Sequence, residues 1–326
     1  MDQQQINKKI AESNICIRCY ENIYDGIEFS WLACIKNNNN HKNHFKMTQL
    51  IYSLILLFGL SFIGYAQNDS NKIFENPPDS IPKIFGKGII SIPDRYEYGL
   101  SISPKYNELF FTEGNLGLMV MRKLKDGNWS KPEVANLRGT NSWEFEAFYT
   151  WDGSKLYFSS DVNDTSRLWY STKSVNGWDS PVLLESPVNS TPVFWATVAK
   201  SGTLYYTNLA NFQIYKSQLI DGQYKETQKG GLRFGIHPFI SPDEDFILFN
   251  SKGDIYIAFK KVDGKWTEPI KFGNQINTLE YEETCPSLSP DAKYIFFSRY
   301  NDKNGKSDIY WVRSDAIEKI RKEIIE

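Results

Sequence analysis

Between Leu100 and Arg313 the chain alternates short apolar or aromatic runs with polar turns, and the alternation repeats with a period of roughly 45 residues. The segments LSISPKYNELFFTE (100–113), FYTWDGSKLYFSSD (148–161), TVAKSGTLYYTNL (197–209), FISPDEDFILFNS (239–251) and SLSPDAKYIFFSR (287–299) align without gaps through their turn. Each predicts strand, tight turn, strand. Pro at the first corner, in Ser103-Pro104, Ser241-Pro242 and Ser289-Pro290, sets φ, and Asp or Gly at the next positions tolerates turn geometry. The second strands, such as Lys155 to Ser159 and Tyr294 to Ser298, are aromatic and β-branched runs of the kind buried on both faces, so the sheets must stack.

A third strand follows in each copy, at 118–123, 167–172, 213–218, 254–261 and 308–313. A fourth usually completes it, carrying Gly, Trp and Pro at matching offsets around Trp129, Trp178 and Trp266, with Tyr224 replacing Trp in a degenerate copy. These rings are read as packing between sheets rather than as carbohydrate platforms. The last copy has no fourth strand, because Ser314 onward reads as a short polar helix (315–326). Residues 82–91 resemble 269–277 and can supply it, removing an open edge. The expected fold is therefore an all-β propeller over 82–314, with five four-stranded blades and an N-terminal strand closing the last one. A sixth, divergent blade is the alternative count.

Composition agrees with one large β domain: 326 residues, 15% aromatic, formal net charge −2. No basic stripe follows a phosphate backbone, which excludes nucleic acid as an expected partner. Leu50 to Ile63 is an apolar run ending in Gly64-Tyr65-Ala66, the mark of a cleaved secretion signal over 47–66 with Gln67 as the first mature residue. The run is shorter than the roughly 20 residues that span a bilayer. The expected product is periplasmic or secreted, monomeric, and without stable membrane insertion after cleavage. Residues 1–46 are read as unstructured or as preceding a true start at Met47, and 67–81 as a linker. Cys16 and Cys19 have metal or redox spacing but no second pair, so the spacing is attributed to chance. After cleavage Cys285 is the only cysteine, and no intramolecular disulfide can form.

The Ser-Pro-Asp turn, the aromatic strand after it and the later Asp-Ile-Tyr resemble the Pro-Asp repeats of TolB-like, WD40-like periplasmic propellers, over about 82–313. Ala199-Lys200-Ser201-Gly202 departs from the motif, and Thr150-Trp151-Asp152-Gly153 keeps only the Asp. That resemblance implies a propeller of the bacterial envelope. It does not imply one activity, because the family includes translocation-complex subunits, modules fused to peptidases and other envelope proteins.

In a propeller the innermost strands line the channel, so the residues just before the aligned turns converge on one mouth. Six before each turn stand Glu97, Glu144, Val193, Gly235 and Glu283; two before those stand Arg95, Ser142, Thr191, Arg233 and Tyr281; two after them stand Gly99, Glu146, Trp195, His237 and Cys285. Arg95, Glu97, Glu144, Glu146, Trp195, Arg233, His237 and Glu283 are the candidate ligand-binding residues. Arginines would hold an anion, carboxylates would take hydroxyls or amines, and Trp195 would offer a stacking face. The competing reading is an internal ring of ion pairs that only holds the blades.

No catalytic residue, metal or cofactor is expected: the turns are too short for calcium loops, and His237 stands without a nucleophile motif. The function read here is a non-enzymatic propeller binding an envelope protein, peptide or glycan through one channel end. The alternatives are a glycosidase-like enzyme using a pair such as Glu97 and Glu283, and a regulatory propeller associated with a peptidase.

Overall fold

The computed structural model describes residues 73–139 and 142–325. The expected secretion signal, residues 1–46 and the Cys16/Cys19 pair lie outside the described residues. A short strand β1 (Lys83–Ile84) precedes the first blade, β2 (Glu97–Ile102), β3 (Glu108–Glu113), β4 (Gly117–Arg122) and β5 (Glu133–Val134). The second contains β6 (Glu144–Tyr149), β7 (Lys155–Val162) and β8 (Thr165–Ser174), with β9 (Gly177–Trp178) and β10 (Val182–Leu183) both pairing β8. The third is β11 (Val193–Val198), β12 (Leu204–Asn208), β13 (Gln213–Ile220) and β14 (Gln223–Lys229); the fourth is β15 (Ile236–Ile240), β16 (Phe246–Ser251), β17 (Asp254–Phe259) and β18 (Ile270–Lys271). In the fifth, β19 (Glu282–Leu288), β20 (Tyr294–Asn301) and β21 (Lys306–Arg313) are completed by β1. Helix α1 (Asp315–Ile325) follows.

The molecule is thus a five-bladed β-propeller closed by its N-terminal strand. Lys83 pairs with Trp311 and Ile84 with Tyr310, so the edge that β21 would expose is covered. The packed chain starts before Pro82: Ile73 is buried, and Phe74, within the expected linker, packs edge-on against Phe85 and Trp311.

The repeated turn has a cause beyond proline. Ser103, Thr150, Ser241 and Ser289 each use the side-chain hydroxyl to accept the amide of the residue opening the next strand, at 3.0, 2.9, 3.0 and 3.0 Å. Ala199 cannot, and in its blade the Ser201 hydroxyl accepts the Thr203 amide instead. The fourth-strand aromatics pack across blades. Trp178 lies against Phe110 and Tyr149, Trp266 donates to the Gly230 carbonyl at 2.8 Å, and Tyr224 meets the Tyr157 hydroxyl at 3.0 Å. Helix α1 buries Ile317 and sets Arg321 on Asp245 at 2.8 Å, against the turn of the fourth blade.

Candidate functional site

Each innermost strand carries one β-bulge at the same place, between Tyr98 and Ser101, Phe145 and Phe148, Phe194 and Ala196, Ile236 and Phe239, and Thr284 and Ser287. The bulged residue has left-handed backbone every time: Gly99 (φ 66°), Glu146 (56°), Trp195 (53°), His237 (50°) and Cys285 (54°). Only the first is the glycine that this conformation favours, so four side chains are held there against backbone preference. The strain is stabilised from the neighbouring blade. Thr112, Ser159 and Thr207 accept the amides of Glu146, Trp195 and His237 at 2.9, 3.0 and 3.0 Å.

These bulges bring Glu146, Trp195, His237 and Cys285 together in the interior, each 4–6% exposed. A ligating atom each from Glu146, His237 and Cys285 lie within 4.8 Å of one another. His237 Nδ1 is 2.6 Å from the side-chain oxygen of Asn250, which can only accept, so Nδ1 carries the proton. Nε2 faces Glu146 Oε1 at 3.7 Å. The imidazole is clamped edge-on by Phe194 and Trp195, ring centres 5.1 and 4.9 Å away, and the Trp195 indole N–H is spent on the Pro238 carbonyl at 2.8 Å. A Cβ at Gly99 would lie 3.3 Å from the Trp195 ring, so the indole fills the space the fifth side chain would need.

Burial pushes the Glu146 carboxyl and the Cys285 thiol up. For His237 burial disfavours the cation, but Cys285 and Glu146 outweigh it and hold the ring well above the usual histidine range.

One step towards the strand-entry end stand Glu97, Glu144 and Glu283, all buried. Glu144 accepts the Leu137 and Arg138 amides at 2.8 and 2.7 Å, splinting the crossover from the first blade. Glu283 does the same with the Thr278 amide and hydroxyl at 3.1 and 2.8 Å, and Arg299 donates to it at 3.1 Å. Neither oxygen of Glu97 has a hydrogen-bond partner among the described residues. Burial, with Asp308 and Glu113 nearby, pushes its carboxyl up to about 8, only partly offset by the Ile92 backbone and Arg95. Val193 and Gly235 hold the other two places. A Cβ at Gly235 would fall 2.3 Å from the Phe249 ring, so no acid fits there.

The candidate set therefore divides. Glu146, Trp195 and His237 share one buried centre, Glu144 and Glu283 are tied to crossover loops, and Glu97 is isolated. Arg95 is exposed, and exposed Arg233 faces Glu268 at 3.7 Å away from this centre. Sequence reasoning does not single out Cys285 or Asn250. Cys285 shares the bulge register, whereas Asn250 stands where the other second strands carry Thr112, Ser159, Thr207 and Ser298, and that break in a hydroxyl series is its signal.

The strand-entry end has half-buried aromatic walls, with Tyr96 packed on Tyr98 and Tyr300 at ring distances of 5.1 and 5.3 Å. At the opposite end a depression bounded by Pro104, Trp151, Phe239 and Pro290 holds about 30 Å³, room for about one water rather than a substrate.

No protein-family model matches the chain, and no curated protein matches it. Among solved structures it is similar to a putative TolB from Agrobacterium tumefaciens, at 20% identity over 64% of this chain and 71% of that one, TM-score 0.42. TolB from Acinetobacter baumannii matches at 12% identity over 67% of this chain and 54% of that one, also at 0.42. A functionally unknown protein from Desulfotomaculum acetoxidans matches at 10% identity over 70% and 78%, at 0.39. The propeller assignment itself rests on the strand pairing. Among the described residues no helix is long and apolar enough to cross a membrane.

Proposed function

We propose that this chain is an exported, non-enzymatic propeller of the cell envelope that binds a protein, peptide or glycan at the strand-entry end of its channel. The observation that carries this reading is the half-buried aromatic wall of Tyr96, Tyr98 and Tyr300 at that mouth, with Arg95 exposed beside it. Rings with an apolar face and a polar tip suit peptide side chains or sugar rings at a partly wet surface. The apolar run ending at Ala66 supports export. The enzymatic alternative draws no support from its acid pair, since Glu283 is committed to Thr278 and Arg299.

The test is a screen of the exported protein against envelope peptides and glycans, repeated with Tyr98→Ala and Tyr300→Ala. Any hit should weaken at least tenfold in either variant and stay unchanged in Arg233→Ala, whose side chain faces Glu268. Binding that is indifferent to both tyrosines, or turnover of a bound glycan, would overturn the reading.

A further inference from the structure

We propose that Glu146, His237 and Cys285 form a binding site for one divalent ion of the zinc class, buried in the propeller interior and independent of the partner-binding mouth. Three blades each deliver a different ligand type to one point, with the ligating atoms within 4.8 Å of one another. Thiolate, imidazole and carboxylate together suit zinc; calcium and magnesium take oxygen ligands. The separation of His237 Nε2 and Glu146 Oε1, 3.7 Å, is close to the edge of about 3.4 Å in a tetrahedron with 2.1 Å bonds. The widest edge needs to close by about 1 Å, a side-chain adjustment around a fixed backbone.

Two independent features point the same way. Asn250 accepts the Nδ1 proton of His237 and so leaves Nε2 as the nitrogen that faces the other two ligands and would bind the ion once its proton is displaced, the outer-shell arrangement usual for metal-bound histidine. Glu146 Oε2 is buried without a hydrogen-bond partner, and either it or a water can take the fourth position. Charge also balances. In the metal-bound state a thiolate and a carboxylate beside a neutral imidazole sum to −2, which one divalent cation cancels. Trp195 offers no ligand, because its N–H is bonded to Pro238, and Gly99 leaves the fifth bulge without one. Binding releases the protons of the thiol and of Nε2 or the carboxyl to solvent, and no redox step is involved.

The test uses the full chain with Cys16, Cys19 and Cys34 replaced by Ser, so that Cys285 is the only thiol. The protein is freed of metal with a chelator and titrated with Zn²⁺ against a chromophoric competitor, then with Co²⁺ followed by absorption. One equivalent of each ion should bind, the Co²⁺ form should show thiolate-to-metal charge transfer with intense tetrahedral ligand-field bands, and Zn²⁺ should raise the melting temperature. Cys285→Ser, close to isosteric, should abolish the charge-transfer band, and Glu146→Gln should weaken Co²⁺ at least tenfold. Asn250→Ala should cost 10- to 100-fold in affinity while keeping the thiolate band, as a positioning residue would. No saturable binding by the folded chain, Co²⁺ bound without the thiolate band, or full affinity in Glu146→Gln would overturn the site. If Cys285→Ser unfolds, the thiolate band of the parent and the Glu146→Gln affinity still decide.

Discussion

Two adjacent tiers of the channel are built on the same five strands and solve their positions in opposite ways. In the outer tier, Glu144 and Glu283 repeat one job, each taking the amides of the crossover that enters its blade. In the bulge tier the backbone repeats five times while the side chains are Gly, Glu, Trp, His and Cys. Where a crossover has to be held, in the second and fifth blades, equivalent positions carry the same carboxylate. Where an identical, strained backbone carries different side chains, the fold does not explain the choice, and the proposed metal centre lies there.

The largest effect that can sharpen this contrast comes from the outer tier. Glu283→Ala strands the Arg299 guanidinium, whose side chain is only 12% exposed, and orphans the Thr278 amide and hydroxyl. A loss of about 3–5 kcal/mol is expected. Glu144→Ala, which frees two loop amides but no buried cation, should cost about 2 kcal/mol. Urea unfolding measures both, and equal, negligible losses would dissolve the distinction between the tiers.

The repeat, the hairpins, the closing strand and the five-blade ring were legible in the sequence because each rests on short-range periodicity and turn chemistry. The channel register was legible for the same reason: aligned turns count back to Glu97, Glu144 and Glu283 and forward to the bulges. Side-chain destination was not. Arg233 is two residues from Gly235, and strand alternation would set both on one face, but Arg233 precedes β15, where that alternation does not hold, and lies exposed beside Glu268. A lone cysteine and a lone histidine, 48 positions apart in sequence, carry no metal spacing, because three blades rather than one motif bring them together.

Glu97 is the outer-tier carboxylate that holds no crossover amide, and pH exposes the difference. Its folded-state carboxyl sits near 8, against an ordinary value of 4.5, with Asp308 and Glu113 raising it and Arg95 lowering it. Between those values the folded chain holds a proton that the unfolded chain releases, so its contribution is present at acid pH and is lost as pH rises through about 8. Glu97→Gln cannot ionise. Relative to the parent it should be near neutral at pH 5 and more stable by about 2–4 kcal/mol at pH 9. A constant difference across that range would show that Glu97 is ionised in the fold.

The smallest effect separates hydroxyls that serve the bulges from one that does not. Thr207, fully buried, accepts the amide of His237 at 3.0 Å, and Thr207→Val keeps the shape while leaving that amide without an acceptor in a closed interior. The expected loss is about 1 kcal/mol, at the lower end for a buried orphan donor, because the strained bulge can relax slightly. Ser298 stands at the matching place in the last blade, but its hydroxyl has no partner among the described residues. Ser298→Ala should therefore change stability by less than about 0.5 kcal/mol in either direction. Parallel urea titrations read the difference. If the two substitutions cost the same, the hydroxyls only fill space, and the left-handed conformation of His237 must be held by packing against Phe194 and Trp195 instead.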